Sequence, residues 1–315
     1  MRNRLTRMLV AGAMSAVAAG AVFAKPQAAD PGAGAAGAGA FAPVNLTMQP
    51  EPESVYAPPA PPREDEGVNE GGVHLVLDIS YFTDYVFRGI ELFEPPGHED
   101  RANLQINGKL SFDLGKVPHP FVGAFVNSAE ADPISTFQEI RPYVGFDWNL
   151  RPLLLTAGYA SYIYPDRDPL ETQEIFGRIE LDDSYFLRSE RPLLSPYVFA
   201  AYDLDLYNGW YLEAGVGHDF EVEDTGLTIR AEGHVAYVYR HELFDLVPAD
   251  EEEESGFQHY QVGLIGRYSL NNLFNVSRRY GEWGFVGYLY YTDSIDDDLR
   301  ADDQLWGGAG INFRY

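Results

Sequence analysis

From Val73 to its last residue the chain repeats one pattern: apolar and polar residues alternate, segment after segment. At the start of this region Val73, Leu75, Leu77, Ile79 and Tyr81 oppose His74, Asp78, Ser80, Asp84 and Arg88. In 102–114, Leu104, Ile106, Leu110 and Phe112 oppose Asn103, Gln105, Asn107, Lys109 and Asp113. In 139–150, Ile140, Val144, Phe146 and Trp148 oppose Glu139, Arg141, Asp147 and Asn149. Segments 210–221, 227–240, 256–270, 281–292 and 304–315 behave alike, and 119–128, 152–164, 171–182 and 195–205 do so more weakly. Period two is the strand signal. The count is about twelve segments, each near or above the length with which a tilted strand crosses a bilayer.

A soluble sandwich also alternates, with its apolar face buried and its polar face wet. Two observations tilt the choice towards a membrane barrel. The polar faces carry charge of both signs, as the lumen wall of a transmembrane barrel does. The connections also differ by side. ELFEPPGHED, AEADPIS, PDRDPLE, HELFDLVPADEEEES and SIDDDLRADD are acidic and mostly long, whereas GKVPHP, NLRP and EVEDTG are short. DDSYFLRSERPLLS and LYNG break that rule. In lipid a sheet has to close so that every backbone group is paired. The ending DQLWGGAGINFRY then pairs with the first strand, with Leu305, Ala309, Ile311 and Phe313 towards acyl chains and its glycine-rich edge towards the lumen. Trp148, Trp210, Trp283, Tyr237, Tyr239, Tyr268 and Tyr291 are expected in interfacial girdles. The fold class is therefore all-β: one antiparallel, up-and-down transmembrane barrel over 72–315.

The segments before the barrel have other characters. MRNRLTR is basic and LVAGAMSAVAAGAVFA is apolar. At about 16 residues the apolar stretch is short for a membrane span, so 1–24 reads as a cleaved signal peptide. Residues 25–71 are rich in Ala, Gly, Pro and acid, cannot bury enough apolar surface to order themselves, and read as a disordered periplasmic linker. With 48 Asp+Glu against 22 Lys+Arg the net charge is -26, which excludes nucleic acid as a partner. There is no cysteine, hence no disulfide and no thiolate metal site.

Catalytic patterns are missing. No HExxH, P-loop, GxGxxG or GxSxG occurs in a fitting context. His234 and His259 are expected to face inward, outside any His–Ser hydrolase pattern, and His218 to face outward. No catalytic residue, metal centre or cofactor is expected, and the chain reads as a non-enzyme. The acidic runs Asp250–Glu254 and Asp293, Asp296–Asp298, Asp302–Asp303 read first as solvated loops and second as weak divalent-cation sites.

The stretch Thr83-Asp84-Tyr85-Val86-Phe87-Arg88-Gly89-Ile90 resembles the opening motif of TorF-type porins, a family of Gram-negative outer-membrane barrels. The terminal INFRY resembles the aromatic-ended strand read by barrel-assembly machinery. The resemblance implies the bacterial outer membrane, with its lipid and lipopolysaccharide as partners. Asp84 and Arg88 are expected to point inward from one strand and to fix the register where the barrel closes. The function expected is a channel for passive diffusion of small solutes or ions. Its pore-lining candidates are Asp84, Arg88, Glu139, Arg141, Glu174, Arg178, Glu180, Glu213, Arg230, Glu232, Arg267 and Arg314. The alternatives are a non-conducting structural or receptor-like barrel and, behind it, a barrel hydrolase.

Overall fold

The computed structural model describes residues 72–92, 102–114, 117–129, 137–165, 170–189, 191–222, 225–244 and 255–315. Residues 1–71, on which the expected signal peptide and linker fall, and Asp250–Glu254 lie outside the described residues. In chain order the strands are β1 (Val73–Phe82), β2 (Val86–Phe87), β3 (Ile90–Glu91), β4 (Asn103–Phe112), β5 (His119–Ala129), β6 (Phe137–Leu150) and β7 (Leu153–Tyr162). They continue as β8 (Thr172–Leu181), β9 (Tyr197–Asp203), β10 (Trp210–Val222), β11 (Leu227–Tyr239), β12 (Ser255–Ser269), β13 (Glu282–Ser294) and β14 (Gln304–Arg314). All except β2 and β3 form one closed barrel in which sequence neighbours pair antiparallel. β1 closes the ring, with Ile79 opposite Ile106 of β4 on one side and Ile311 of β14 on the other. Among the described residues no helix is long and apolar enough to cross a membrane.

The alternation sorts the side chains as a bilayer requires. Ile79, Phe146, Val198, Leu264 and Leu305 stand outward and 42–63% exposed, while Asp78, Asn107, Glu139 and Glu174 point inward and are 6% exposed or less. A soluble barrel has the reverse arrangement. An apolar exterior around a charged interior is stable only in an apolar solvent, so the chain is a transmembrane β-barrel. The aromatic residues at strand ends follow suit. Trp148, Tyr268 and Trp283 face outward near the end that holds the termini, and Trp210, Tyr237, Tyr239 and Tyr291 near the opposite, loop end. On β14, Leu305 and Ile311 face out while Trp306 and Asn312 are buried in the interior.

One expectation is overturned. β1 ends at Phe82, so Asp84 and Arg88 do not lie on the closing strand. The chain turns into the lumen and forms a small hairpin of its own, with Val86 opposite Glu91 and Phe87 opposite Ile90. Arg88 and Gly89 make its two-residue turn, both at positive φ (49° and 78°), the backbone of a tight hairpin turn whose twist suits its strands. The closing register at β1–β14 is instead set by wall pairing such as Ser80 with Gly310.

Candidate functional site

The inserted hairpin lies buried in the interior. Tyr85, Phe87 and Ile90 are wholly buried and Val86 nearly so, although the segment lies beyond the end of a wall strand. Its tip reaches the far side of the ring. Arg88 Nη2 donates to both oxygens of Glu174 on β8, each at 2.9 Å, and both side chains are 2% exposed. The Arg88 guanidinium also lies 4.2 Å from the Tyr211 ring centroid. A second lock sits on β6. Tyr85 OH donates to Glu139 Oε2 at 2.7 Å, and Arg141 Nη2 donates to the same hydroxyl at 3.1 Å. Arg141 Nε donates to Glu139 Oε1 at 2.8 Å, which closes a buried triangle of tyrosine, glutamate and arginine.

The third lock depends on a local irregularity of the wall. Between β11 and β12 the register slips between Val235 and Tyr237, so Gln258 and His259 together face Ala236. Such a bulge re-aims a side chain, and here both residues are buried instead of alternating. Gln258 Nε2 then donates to Arg88 O at 2.9 Å and to Arg300 O at 2.7 Å. The His259 ring lies so close behind Gly89 that a Cβ there would sit 2.6 Å from it. From the β13–β14 loop, Asp302 Oδ2 accepts from Glu91 N at 2.7 Å, and Asp302 N donates to Gly89 O at 2.7 Å. Asp302 belongs to an acidic run expected to be solvated or to hold cations; in the structure it pins the hairpin. Among the described residues no acid or histidine cluster is arranged to hold a metal ion.

The other sequence-derived candidates face the lumen from the wall strands. Arg178 bonds Glu180 at 3.1 Å and lies 3.6 Å from the Tyr197 ring centroid. Glu213 accepts from the Tyr197 and Tyr211 hydroxyls and lies 3.7 Å from His234 Nε2. Arg230 bridges Asp219 at 3.1 Å and Glu232 at 3.2 Å. Arg267 and Arg314 differ from these: among the described residues neither has a side-chain hydrogen bond or contact ion pair, and Arg267 Nη2 and Arg314 Nε are buried without a partner. Asp84 is buried beside Thr83, whose hydroxyl donates to it at 2.5 Å. Sequence reasoning missed Tyr85, Gln258 and Asp302 as members of the site. It also missed Lys109, which bonds Asp147 at 2.8 Å.

Three loops close over the hairpin. Tyr207, Leu243, Phe244 and Leu299 are buried between them, and Arg300 N donates to Phe244 O at 2.8 Å. His241 stacks on Tyr207 with centroids 5.6 Å apart, and burial followed by the nearby Arg88 charge pushes its pKa down to about 3. His234 and His259 face inward with rings 5.5 Å apart, and neither bonds a serine. His218 points outward from β10. The described interior thus supplies fixed, mostly paired charges and a tightly held insertion.

No family model matches the chain, and no curated protein matches it. Among solved structures it is similar to LpxR from Salmonella typhimurium, at 12% identity over 76% of this chain and 99% of that one, with a TM-score of 0.43. It is similar to an outer membrane channel from Pseudomonas putida F1, at 9% identity over 81% and 100%, with a TM-score of 0.41. It is also similar to the toluene transporter TbuX from Ralstonia pickettii, at 12% over 79% and 90%, with a TM-score of 0.34. Likenesses at this level leave the chemistry of the lumen to be read from its own residues.

Proposed function

We propose that the protein is a bacterial outer-membrane channel for small solutes or ions, with its resting conductance limited by the hairpin at Tyr85–Leu92. The observation that carries this reading is the pinned insertion inside a charged lumen. A barrel that only needed filling has simpler solutions in wall side chains, whereas a hairpin held by one ion pair and a few discrete hydrogen bonds can be released. Glu139, Arg141, Glu174, Arg178, Glu180, Glu213, Arg230, Glu232, Arg267 and Arg314 line the path from the wall, and Asp84 and Arg88 line it from the insertion. In this reading the 1–24 segment directs export, 25–71 lies in the periplasm and the last strand is read by barrel-assembly machinery. The barrel's outer surface meets lipid and lipopolysaccharide, and the acidic loops gather cations weakly at the outer mouth. Membership of the TorF-type porins rests on the Thr83–Ile90 motif, whose Tyr85, Arg88 and Gly89 each have a place in the hairpin.

The test is planar-bilayer recording of the purified protein with its cation/anion permeability ratio. Conductance steps that grow larger or more frequent in Glu174→Gln support a hairpin-limited channel. A second reading, a non-conducting receptor-like barrel, draws on the complete burial of Phe87, Ile90 and Phe244. Silence from both the wild type and Glu174→Gln favours it.

A further inference from the structure

At the end of the barrel that holds the termini, the lumen contains a cavity of about 150 Å³ bounded by β11, β12, β13 and β14. Register places its inward groups in rows. Thr228 lies beside Arg267, Gly284 beside Asn312, and Glu282 beside Arg314. Gly284 keeps the cavity open, since a Cβ there would collide with Asn312 Oδ1. The lining carries three arginines, Arg267, Arg278 and Arg314, against a single glutamate, in a chain whose net charge is -26. That glutamate, Glu282, already faces Arg278 at 3.5 Å on the exposed rim. Three further carboxylates act on the pair without touching it: Asp219 and Glu232, both bonded to Arg230 at 3.1 and 3.2 Å, and Asp78 of β1, the cross-strand partner of Asn312.

Among the described residues, Arg267 and Arg314 are therefore two guanidinium groups without a hydrogen-bond or contact partner, each with a nitrogen fully shielded by protein. Elsewhere in the lumen the inward arginines found one: Arg88, Arg141, Arg178 and Arg230 all bond a carboxylate. Both side chains are half-buried, and a guanidinium nitrogen shielded from water without any partner is an exception to polar pairing that an unseen ion would account for. We infer that this cavity binds a small free oxyanion, a phosphate or a carboxylate, between Arg267 and Arg314. Guanidinium forks match both groups in geometry. Thr228 and Asn312 add a hydroxyl and an amide at the same level. The cavity has room for one such group, and its charged walls belong to the lumen face, away from acyl chains.

The experiment is equilibrium dialysis of radiolabelled inorganic phosphate and, separately, succinate against the full chain folded in phosphate-free detergent micelles. Micelles without phosphate make any saturable binding that of a free anion. Wild type is expected to bind at least one of the two probes, and the tighter one assigns tetrahedral or planar oxyanion. Arg267→Gln and Arg314→Gln each weaken binding about tenfold or more, and the double substitution removes it. Arg267→Lys retains part of the affinity. Arg191→Gln, at an exposed arginine outside the cavity, leaves it unchanged. Retained heat-modifiable migration on gels shows that the variants are folded. Absence of saturable binding of both anions by wild type, or binding that survives the double substitution, overturns the inference. The measurement needs no conduction, so it stands or falls apart from the channel reading.

Discussion

Replacing Glu174 by Gln tests whether the hairpin is a releasable insertion. The substitution keeps the shape of the side chain and leaves Arg88 as a buried cation facing a neutral amide. Both partners are 2% exposed, so solvent cannot screen the loss. Breaking a buried pair by removing one partner costs about 3–5 kcal/mol, and the amide oxygen returns part of it. A net cost near 3 kcal/mol raises the population of the displaced hairpin about a hundredfold, at roughly 1.4 kcal/mol per decade. The chain has no cysteine, so a single introduced thiol is an unambiguous reporter. Ile90 is wholly buried, and Ile90→Cys places that thiol on the hairpin itself. At low maleimide concentration the labelling rate follows the displaced population. Combined with Glu174→Gln, the Ile90→Cys thiol should therefore label about a hundred times faster than in Ile90→Cys alone. Phe121→Cys, on β5 and 3% exposed away from the hairpin's contacts, should label at the same rate with and without Glu174→Gln. A ratio within about threefold for the hairpin thiol would show that the Arg88–Glu174 pair does not hold the insertion.

The other tests read different parts of the same structure. Gly89→Ala meets both a φ of +78° and the His259 ring, so it should release the hairpin at a cost of about 1–3 kcal/mol, seen as faster labelling of the Ile90→Cys thiol. Adding His259→Ala should recover the collision but not the backbone part; full recovery would show that φ contributes nothing. His241 binds its proton far less readily when packed than when free, with a pKa of about 3 against 6.5. Its contribution to stability is complete above pH 6.5 and falls with pH towards 3, by about 1.4 kcal/mol per unit, so about 2 kcal/mol is lost by pH 5. Denaturant unfolding in vesicles at pH 7.5 and pH 5 should show that loss in wild type and a smaller one in His241→Phe; equal losses would place the acid sensitivity elsewhere. Val144→Arg puts a charge on the lipid face at mid-strand, where Val144 is 50% exposed, and should destabilise the barrel by about 2–4 kcal/mol in the same assay.

What could be read from the chain and what could not divide along one physical line. Period two reports which face a residue takes once it is in a strand, and it placed the wall strands because each face meets a different solvent. It is silent about where a strand stops when the segment beyond is also sheltered. Asp84 and Arg88 continue the polar positions of β1 in number, yet Tyr85, Val86 and Phe87 are consecutive apolar residues, which a wall strand with one lipid face and one polar face does not need. That run, followed by Arg-Gly, was the available sign of a buried tight turn. Gln258 carried no such sign, because the bulge that turns it inward is a property of two strands together.

The pairing of the lumen charges was likewise beyond reach of the sequence, and it changes what the charges mean. An interior with equal chances of pairing would leave carboxylates in excess, given 48 acids to 22 bases. Instead Glu139, Glu174, Glu180 and Glu232 each bond an arginine, and two inward guanidinium groups without a contact partner, Arg267 and Arg314, lie together near the terminal end. The acid surplus must then sit mainly in loops and flanks. Among the described residues the loop end carries Asp205, Glu242, Asp296–Asp298 and Asp302–Asp303, the hairpin crosses the lumen, and Arg267 and Arg314 stand inside the terminal end. A solute crossing the lumen would meet different charge arrangements at the two ends, so a permeability ratio measured in symmetric salt reports the path as a whole. Salt raised on one side alone should screen one mouth and leave the other, making the conductance depend on which side is raised.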